Sequence, residues 1–239
     1  MPKNGWNESA AAWIADMGEH GDFGRRYVLD PIMLPRALAA APKTALDIGC
    51  GEGRFCRMLR EHGVSCTGVD PTPALLERAR ALDPDGAYIE ASGGALPVPN
   101  ASFELVVAYL SLIDMPEIGV PIAEMARVLK PGGSLLLANL NGFSTAAEDR
   151  GWVRDENGNP LHYPVDRYLE ERAFWTEWRG IRIVNHHRPL SAYMREFMGH
   201  GLQLRFFDEP EPIKGAPEPK AGRYRRVPWY VVMEWQKPS

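Results

Sequence analysis

Between residues 44 and 140, short apolar runs alternate with segments whose apolar positions recur every three or four residues. Residues 44–49 (TALDIG) predict a buried strand. Residues 54–63 predict a helix, with Phe55, Met58 and Leu59 on one face and Gly63 as its stop. A second strand over 65–70 precedes a helix over 72–82, with Thr72 as N-cap and Pro73 at the first helical position. Residues 87–91 give a third strand and 103–112 contain a fourth. Residues 120–130 give a helix stopped by Pro131-Gly132-Gly133, and 134–140 a fifth strand. Strands with continuous apolar cores, separated by helices, imply a parallel sheet covered on both faces.

Past residue 143 the texture changes. Residues 144–188 are polar but carry Trp152, Tyr163, Tyr168, Phe174, Trp175 and Trp178. They predict an inserted, aromatic-rich lid, with two strands turning near Arg179-Gly180. Leu190, Tyr193, Met194, Phe197 and Met198 then mark one face of a helix. Strands over 202–209 and 229–237 follow, joined by a proline-rich loop without a crossover helix, so they pair as antiparallel neighbours. The expected fold is α/β, a single domain over 1–239 around a doubly wound, mostly parallel, seven-stranded sheet with an antiparallel edge strand. Residues 1–41 are expected to form cap helices over its open end.

Composition narrows the function. The net charge of −4 gives no reason to expect a nucleic-acid partner, and the basic stretch Gly222–Pro228 is short. No apolar run is long enough for a membrane span, and no secretory signal opens the chain. Cys50, Cys56 and Cys66 lack paired metal-ligand spacing and read as reduced thiols of a cytoplasmic protein; no metal is expected.

The chemistry concentrates in ALDIGCGEGRF, residues 45–55. A phosphate loop would need a Gly-Lys-Ser/Thr ending that is missing. A dinucleotide loop would need a third glycine where Arg54 stands. What remains, D-x-G-x-G-x-G from Asp47 to Gly53, resembles motif I of the class I S-adenosylmethionine (SAM)-dependent methyltransferases. Asp70 ends the second strand about 20 residues on, where a carboxylate accepts ribose hydroxyls in both dinucleotide enzymes and methyltransferases. More specific is the stretch 93–140, which is similar to small-molecule methyltransferases of the ubiquinone/menaquinone-biosynthesis type. Ala95-Leu96-Pro97, Ser102-Phe103 and Arg127–Gly133 carry that likeness.

The resemblance implies a Rossmann-like methyltransferase fold with SAM as cofactor and S-adenosylhomocysteine (SAH) as product. The implied cofactor contacts are Asp47, Gly49, Cys50, Gly51, Gly53, Asp70, Pro71, Gly93, Gly94, Tyr109 and Leu110. Ser92 departs from the family, which has an aspartate for the adenine amine; its hydroxyl accepts the same bond without charge. Arg25, Arg26 and Tyr27 are candidates for the SAM carboxylate, as the resemblance implies. A small-molecule acceptor is expected, methylated at oxygen first, then nitrogen or carbon. The loop after the fourth strand reads AYLSLIDMP, without the Pro-Pro-Tyr signature of nucleic-acid and peptide amine methylation. His187, with His186 behind it, and Asp114 are the candidate bases, and the aromatics of the insertion are a candidate roof for a flat acceptor. The alternatives are a SAM- or SAH-binding protein without catalysis and an NAD-type oxidoreductase.

Overall fold

A computed structural model describes residues 4–147 and 151–239; the outermost residues expected in the N-terminal cap and residues 148–150 of the expected lid lie outside the described residues. The elements, in chain order, begin with α1 (Trp6–Met17), a π-helical turn (Arg25–Leu29) and α2 (Asp30–Ala39). Then come β1 (Thr44–Ile48), α3 (Arg54–Glu61), β2 (Ser65–Asp70), α4 (Pro73–Leu82), β3 (Ala87–Glu90) and β4 (Phe103–Tyr109). A short turn (Leu112–Asp114) leads to α5 (Gly119–Val128), β5 (Leu129–Leu140), α6 (Gly142–Ala146), β6 (Val153–Arg154), β7 (Pro160–His162), β8 (Arg172–Trp178) and β9 (Ile181–His187). The chain closes with α7 (Leu190–Gly199), β10 (Gln203–Asp208), α8 (Lys220–Tyr224) and β11 (Tyr230–Gln236).

The central sheet has seven strands in the order β10-β11-β5-β4-β1-β2-β3. Neighbours from β5 to β3 run parallel. The reversed strand is β11, antiparallel to both β5 and β10. It lies one place in from the edge, because α7 carries the chain past the gap beside β5 and the return from β10 fills it without a crossover. Helix α5 ends at Val128, and Leu129 is already extended, two residues ahead of Pro131. A residue before proline is driven out of the helical region, which sets this stop.

Alternate strand residues face opposite layers. Ala45, Leu105, Val107 and Leu136 pack with Met33, Phe55 and Leu59 from α2 and α3. Leu46, Val106, Leu135 and Leu137 pack with Ile122, Met125 and Phe197 from α5 and α7. The strand order reverses between β1 and β4, which opens a crevice at their C-terminal ends, where open α/β sheets bind ligands.

Segment 151–187 leaves the sheet. Strands β8 and β9 form a separate hairpin, and the β6–β7 pair is a second one that the sequence pattern does not predict. Helix α1 is fastened to β9: Ser9 Oγ donates to Arg182 O at 3.0 Å and accepts its N–H at 2.9 Å. Gly5, at φ +86°, lies so close that a Cβ there would sit 2.0 Å from Arg182 O.

Trp235 of β11 is fully buried, stacked on Phe197 at 4.9 Å. Trp235→Ala is expected to lower the unfolding free energy by about 3–5 kcal/mol, read as a lower urea midpoint.

Candidate functional site

Polar chemistry collects in the crevice after β1, β2 and β4, in a cavity of about 550 Å³. That is within the usual size of a small-molecule site. Of the sequence candidates, Asp47, Gly49, Cys50, Gly51, Asp70, Pro71, Ser92, Gly93, Tyr109, Leu110, Asp114 and His186 line it.

The loop after β1 folds back on β2, with the N–H groups of Gly49 and Cys50 donating to Val69 O at 2.7 and 3.1 Å. Its three glycines serve different ends. A Cβ at Gly49 would strike the Ser111 side chain at 2.3 Å, and one at Gly53 would strike Tyr88 at 2.5 Å. Both are required by neighbouring protein, and Gly53 does not line the cavity: it opens α3 at φ +75°. At Gly51 the nearest atom to a Cβ is the Trp13 ring at 3.4 Å, so this is the glycine facing open space.

Asp70 accepts Gly51 N–H at Oδ2, 2.9 Å, and Thr72 N–H at Oδ1, 2.8 Å. Burial pushes its carboxyl up, and these two donors pull it back down. Each oxygen keeps lone-pair capacity for a further donor. Asp47 is buried on the cavity wall, with Oδ2 taking a 3.6 Å contact from Cys56 Sγ and Oδ1 without a hydrogen-bond partner. Burial, with Cys56 adding to it, pushes this carboxyl well above the usual range. A cation beside it would reverse that shift.

On the β4 side, the Tyr109 hydroxyl donates to Asp30 at 2.8 Å. Leu110 is held at φ +58°, a left-handed conformation unusual for a branched side chain, by its N–H bond to Ala138 O at 2.8 Å. Asp114 is not a helix cap: it accepts Asn185 Nδ2 at 2.7 Å and faces the cavity, where burial pushes its carboxyl up to about 8.

Several expectations are corrected. Arg26 and Tyr27 do not line the cavity; Arg25 does. The π-helical turn rotates the chain so that Arg25 lies against Trp13 and Tyr109, bridged to Asp22 at 3.4 Å, while Arg26 lies over the Tyr27 ring. Gly94 also lies outside, where a Cβ would meet Val120 at 3.3 Å. His187 is fully buried on the far face of β9, its Nδ1 bonded to Thr145 Oγ1 at 2.7 Å and its Nε2 2.9 Å from Tyr168 O. Strand alternation sends His186 to the cavity and His187 away from it. Burial and the nearby Arg188 hold His186 below the ordinary histidine value, in its neutral form.

The aromatics of the insertion do not roof the cavity. Trp152 and Tyr163 pack edge-on, with Tyr163 against Trp229, and Trp178 donates to Asp16 of α1. The hairpin reaches the cavity only through Ala173, Val184 and His186. The roof is Asn4, Trp6 and Trp13, from the N-terminal segment expected to cap the open end of the sheet. Gly5 ahead of the Trp6 helix was the one local signal for it. Among the described residues, no acidic or thiol cluster could hold a metal and no helix is long and apolar enough to cross a membrane. The three cysteines are free and buried.

The chain is similar to known methyltransferases. The family model for a methyltransferase domain matches residues 46–137. A malonyl-[acyl-carrier protein] O-methyltransferase of Enterobacter lignolyticus is 27% identical over 165 residues, 69% of this chain and 63% of that one. An uncharacterized methyltransferase of Mycobacterium bovis is 35% identical over 150 residues, 59% of this chain and 58% of that one. The chain thus spans about three fifths of the length of these curated relatives. The crystal structure of a SAM-dependent methyltransferase from Mesorhizobium loti superposes with a TM-score of 0.76 at 27% identity, over 92% of this chain and all of that one.

Two outcomes are expected. His187→Ala should destabilise the fold by about 2–3 kcal/mol in urea titrations, while leaving ligand affinity of the folded protein unchanged. The raised Asp114 value means the folded state holds that proton more tightly than the unfolded chain. Its contribution is present at low pH and is lost as pH rises through about 8. The stability of Asp114→Asn relative to the parent should therefore grow between about pH 5 and about pH 8.5 when both are unfolded with urea, ligand-free.

Proposed function

We propose, for a chain that belongs to the class I SAM-dependent methyltransferases, that it transfers the methyl group of SAM to a small-molecule acceptor, at oxygen in the first place. One observation carries the reading: buried Asp47 keeps Oδ1 without a partner on the wall of the same cavity that Asp70 and Gly51 line. A buried carboxylate oxygen without a donor is costly, and the ammonium of a bound amino-acid tail satisfies it. Asp70 receives the ribose hydroxyls with the lone pairs that Gly51 and Thr72 leave over. Ser92 and Gly93 face the adenine, Arg25 takes the carboxylate, and Tyr109 with Leu110 flank the tail.

When bound, SAM supplies a sulfonium methyl, an electrophile with a good leaving group. The remaining work falls to the protein: to align a nucleophile in line and keep water out. Trp6 and Trp13 close the roof, so α1 and the β8–β9 hairpin serve together as the lid of this site.

Calorimetry tests the reading. SAM and SAH should bind and NAD should not; NAD binding in their place would refute it. Gly51→Val puts a branched side chain on the open face of the loop at φ +56°, so it should remove SAM affinity and also lower the urea midpoint; retained SAM affinity would refute the loop assignment. Arg25→Ala should weaken SAM about tenfold, roughly the 1.4 kcal/mol of one charge-assisted bond, whereas Arg26→Ala should not change it.

A further inference from the structure

The acceptor end of the cavity is built around Asp114. Its carboxylate accepts Asn185 Nδ2 of β9 at 2.7 Å, and the Trp6 indole of α1, on the same cavity wall, helps to lower its titration. Met115, Pro116, Ala173 and Val184 make the rest of that wall apolar. The charged and titratable groups facing Asp114 are Asp70, Arg25 and His186.

No cation answers for a negatively charged acceptor there. Arg25 is bridged to Asp22 at 3.4 Å, and Arg54, the other arginine lining the cavity, is paired with Asp30. His186 is held neutral. Arg188, two residues on, gives its guanidinium to the carbonyls of Leu112, Met115 and Pro116. Among the described residues, then, every cation on the cavity wall has an acidic partner. An anionic acceptor would be buried beside Asp114 and Asp70 with no cation of the protein to pair with it, and burial penalises an anion next to two carboxylates. An amine would arrive as a cation and meet the sulfonium with like charge. An aliphatic alcohol holds its proton too tightly for a carboxylate to take. A phenol ionises near 10, within reach of a carboxyl pushed up to about 8.

Resting on the methyl-transfer reading above, we propose that the acceptor is an uncharged aromatic hydroxyl and that Asp114 is the catalytic residue that takes its proton. Asn185 and Trp6 are positioning residues: they fix the carboxylate and leave it capacity for one more donor. In the step, the hydroxyl proton passes to an Asp114 oxygen. The hydroxyl oxygen forms a bond to the methyl carbon with its own electron pair. The carbon–sulfur bond breaks with both electrons staying on sulfur, which becomes a neutral thioether. The anionic carboxylate and the cationic sulfonium are thereby neutralised together, and Asp114 later returns its proton to solvent.

The test uses three probes of one shape on the SAH-loaded protein: 2-naphthol, 2-naphthoate and 2-naphthylmethylammonium, titrated by calorimetry at about pH 8.5, above the value of about 8 at which Asp114 ionises and below that of the naphthol. The naphthol should bind at least about tenfold tighter than either charged probe. Asp114→Asn should bring naphthol and naphthoate about tenfold closer together, with SAH affinity and circular dichroism unchanged. Asn185→Ala removes a donor to the charged carboxylate, so the midpoint of the pH dependence of naphthol binding should move upward. Tighter binding of naphthoate or of the ammonium probe overturns the proposal, as does an unchanged preference in a folded Asp114→Asn protein. If that variant does not fold, the ranking of the probes on the parent protein decides alone. Absence of SAH binding would overturn the methyl-transfer reading itself; intact SAH binding with the wrong probe preferred overturns only the acceptor assignment.

Discussion

Asp70 joins the two loops on which the cavity depends. Its oxygens take Gly51 N–H from the loop after β1 and Thr72 N–H from the start of α4. Those loops leave adjacent parallel strands, and nothing in strand pairing alone would fix their separation. A carboxylate buried between them, bonded to backbone on both sides, does so. Two charge-assisted bonds offset part of the cost of burying the charge. The conformation of the Gly51 loop and the aim of the carboxylate are therefore one structural fact. A side chain that only capped α4, or only waited for ligand, would leave the other loop unfixed.

Three carboxylates line the cavity, at Asp47, Asp70 and Asp114, and burial raises all three. They differ in what already holds them. Asp70 has two backbone donors, Asp114 has the Asn185 amide, and Asp47 has one oxygen with none. Such an arrangement is stable only because the folded state can keep protons on the least satisfied groups. It becomes favourable as charged groups when a cationic ligand enters. The cavity is thus pre-organised for positive charge, and its arginines, already bridged to Asp22 and Asp30, do not cancel that field.

The sheet and the ligand loop were legible because their signals are local. Asp47, Gly51 and Asp70 sit at the ends of apolar runs, and each position follows from counting along the strand. The sequence places helices over the open end of the sheet, but which residues roof the cavity depends on contacts 173 positions apart. Asn4, Trp6 and Trp13 reach the cavity only because Gly5 and Ser9 seat α1 on Arg182. Nothing near Trp6 in the sequence mentions β9. The aromatic insertion misled for the same reason. Its rings are richest in sequence where they pack on Trp229 and Asp16, away from the cavity. Arg25 and Arg26 differ by one position, and the π-helical turn that chooses between them has no reliable signature in composition.

The two histidines show how little separates a structural from a chemical role. His186 and His187 are adjacent, and the β8–β9 register pairs them with Ala173 and Arg172. A slip of one residue in that register would exchange their faces. What prevents it is on both sides of the strand at once. His187 has Thr145 and Tyr168 to bond only on the inner face, and Asn185, two residues earlier on that same face, meets Asp114. Val184, on the other face, is tied through its backbone to Asn4 at 2.9 Å. The buried His187 is thus one of the groups that hold Asn185 against Asp114. His187, a candidate base in the sequence, contributes by fixing the register that turns His186 to the cavity.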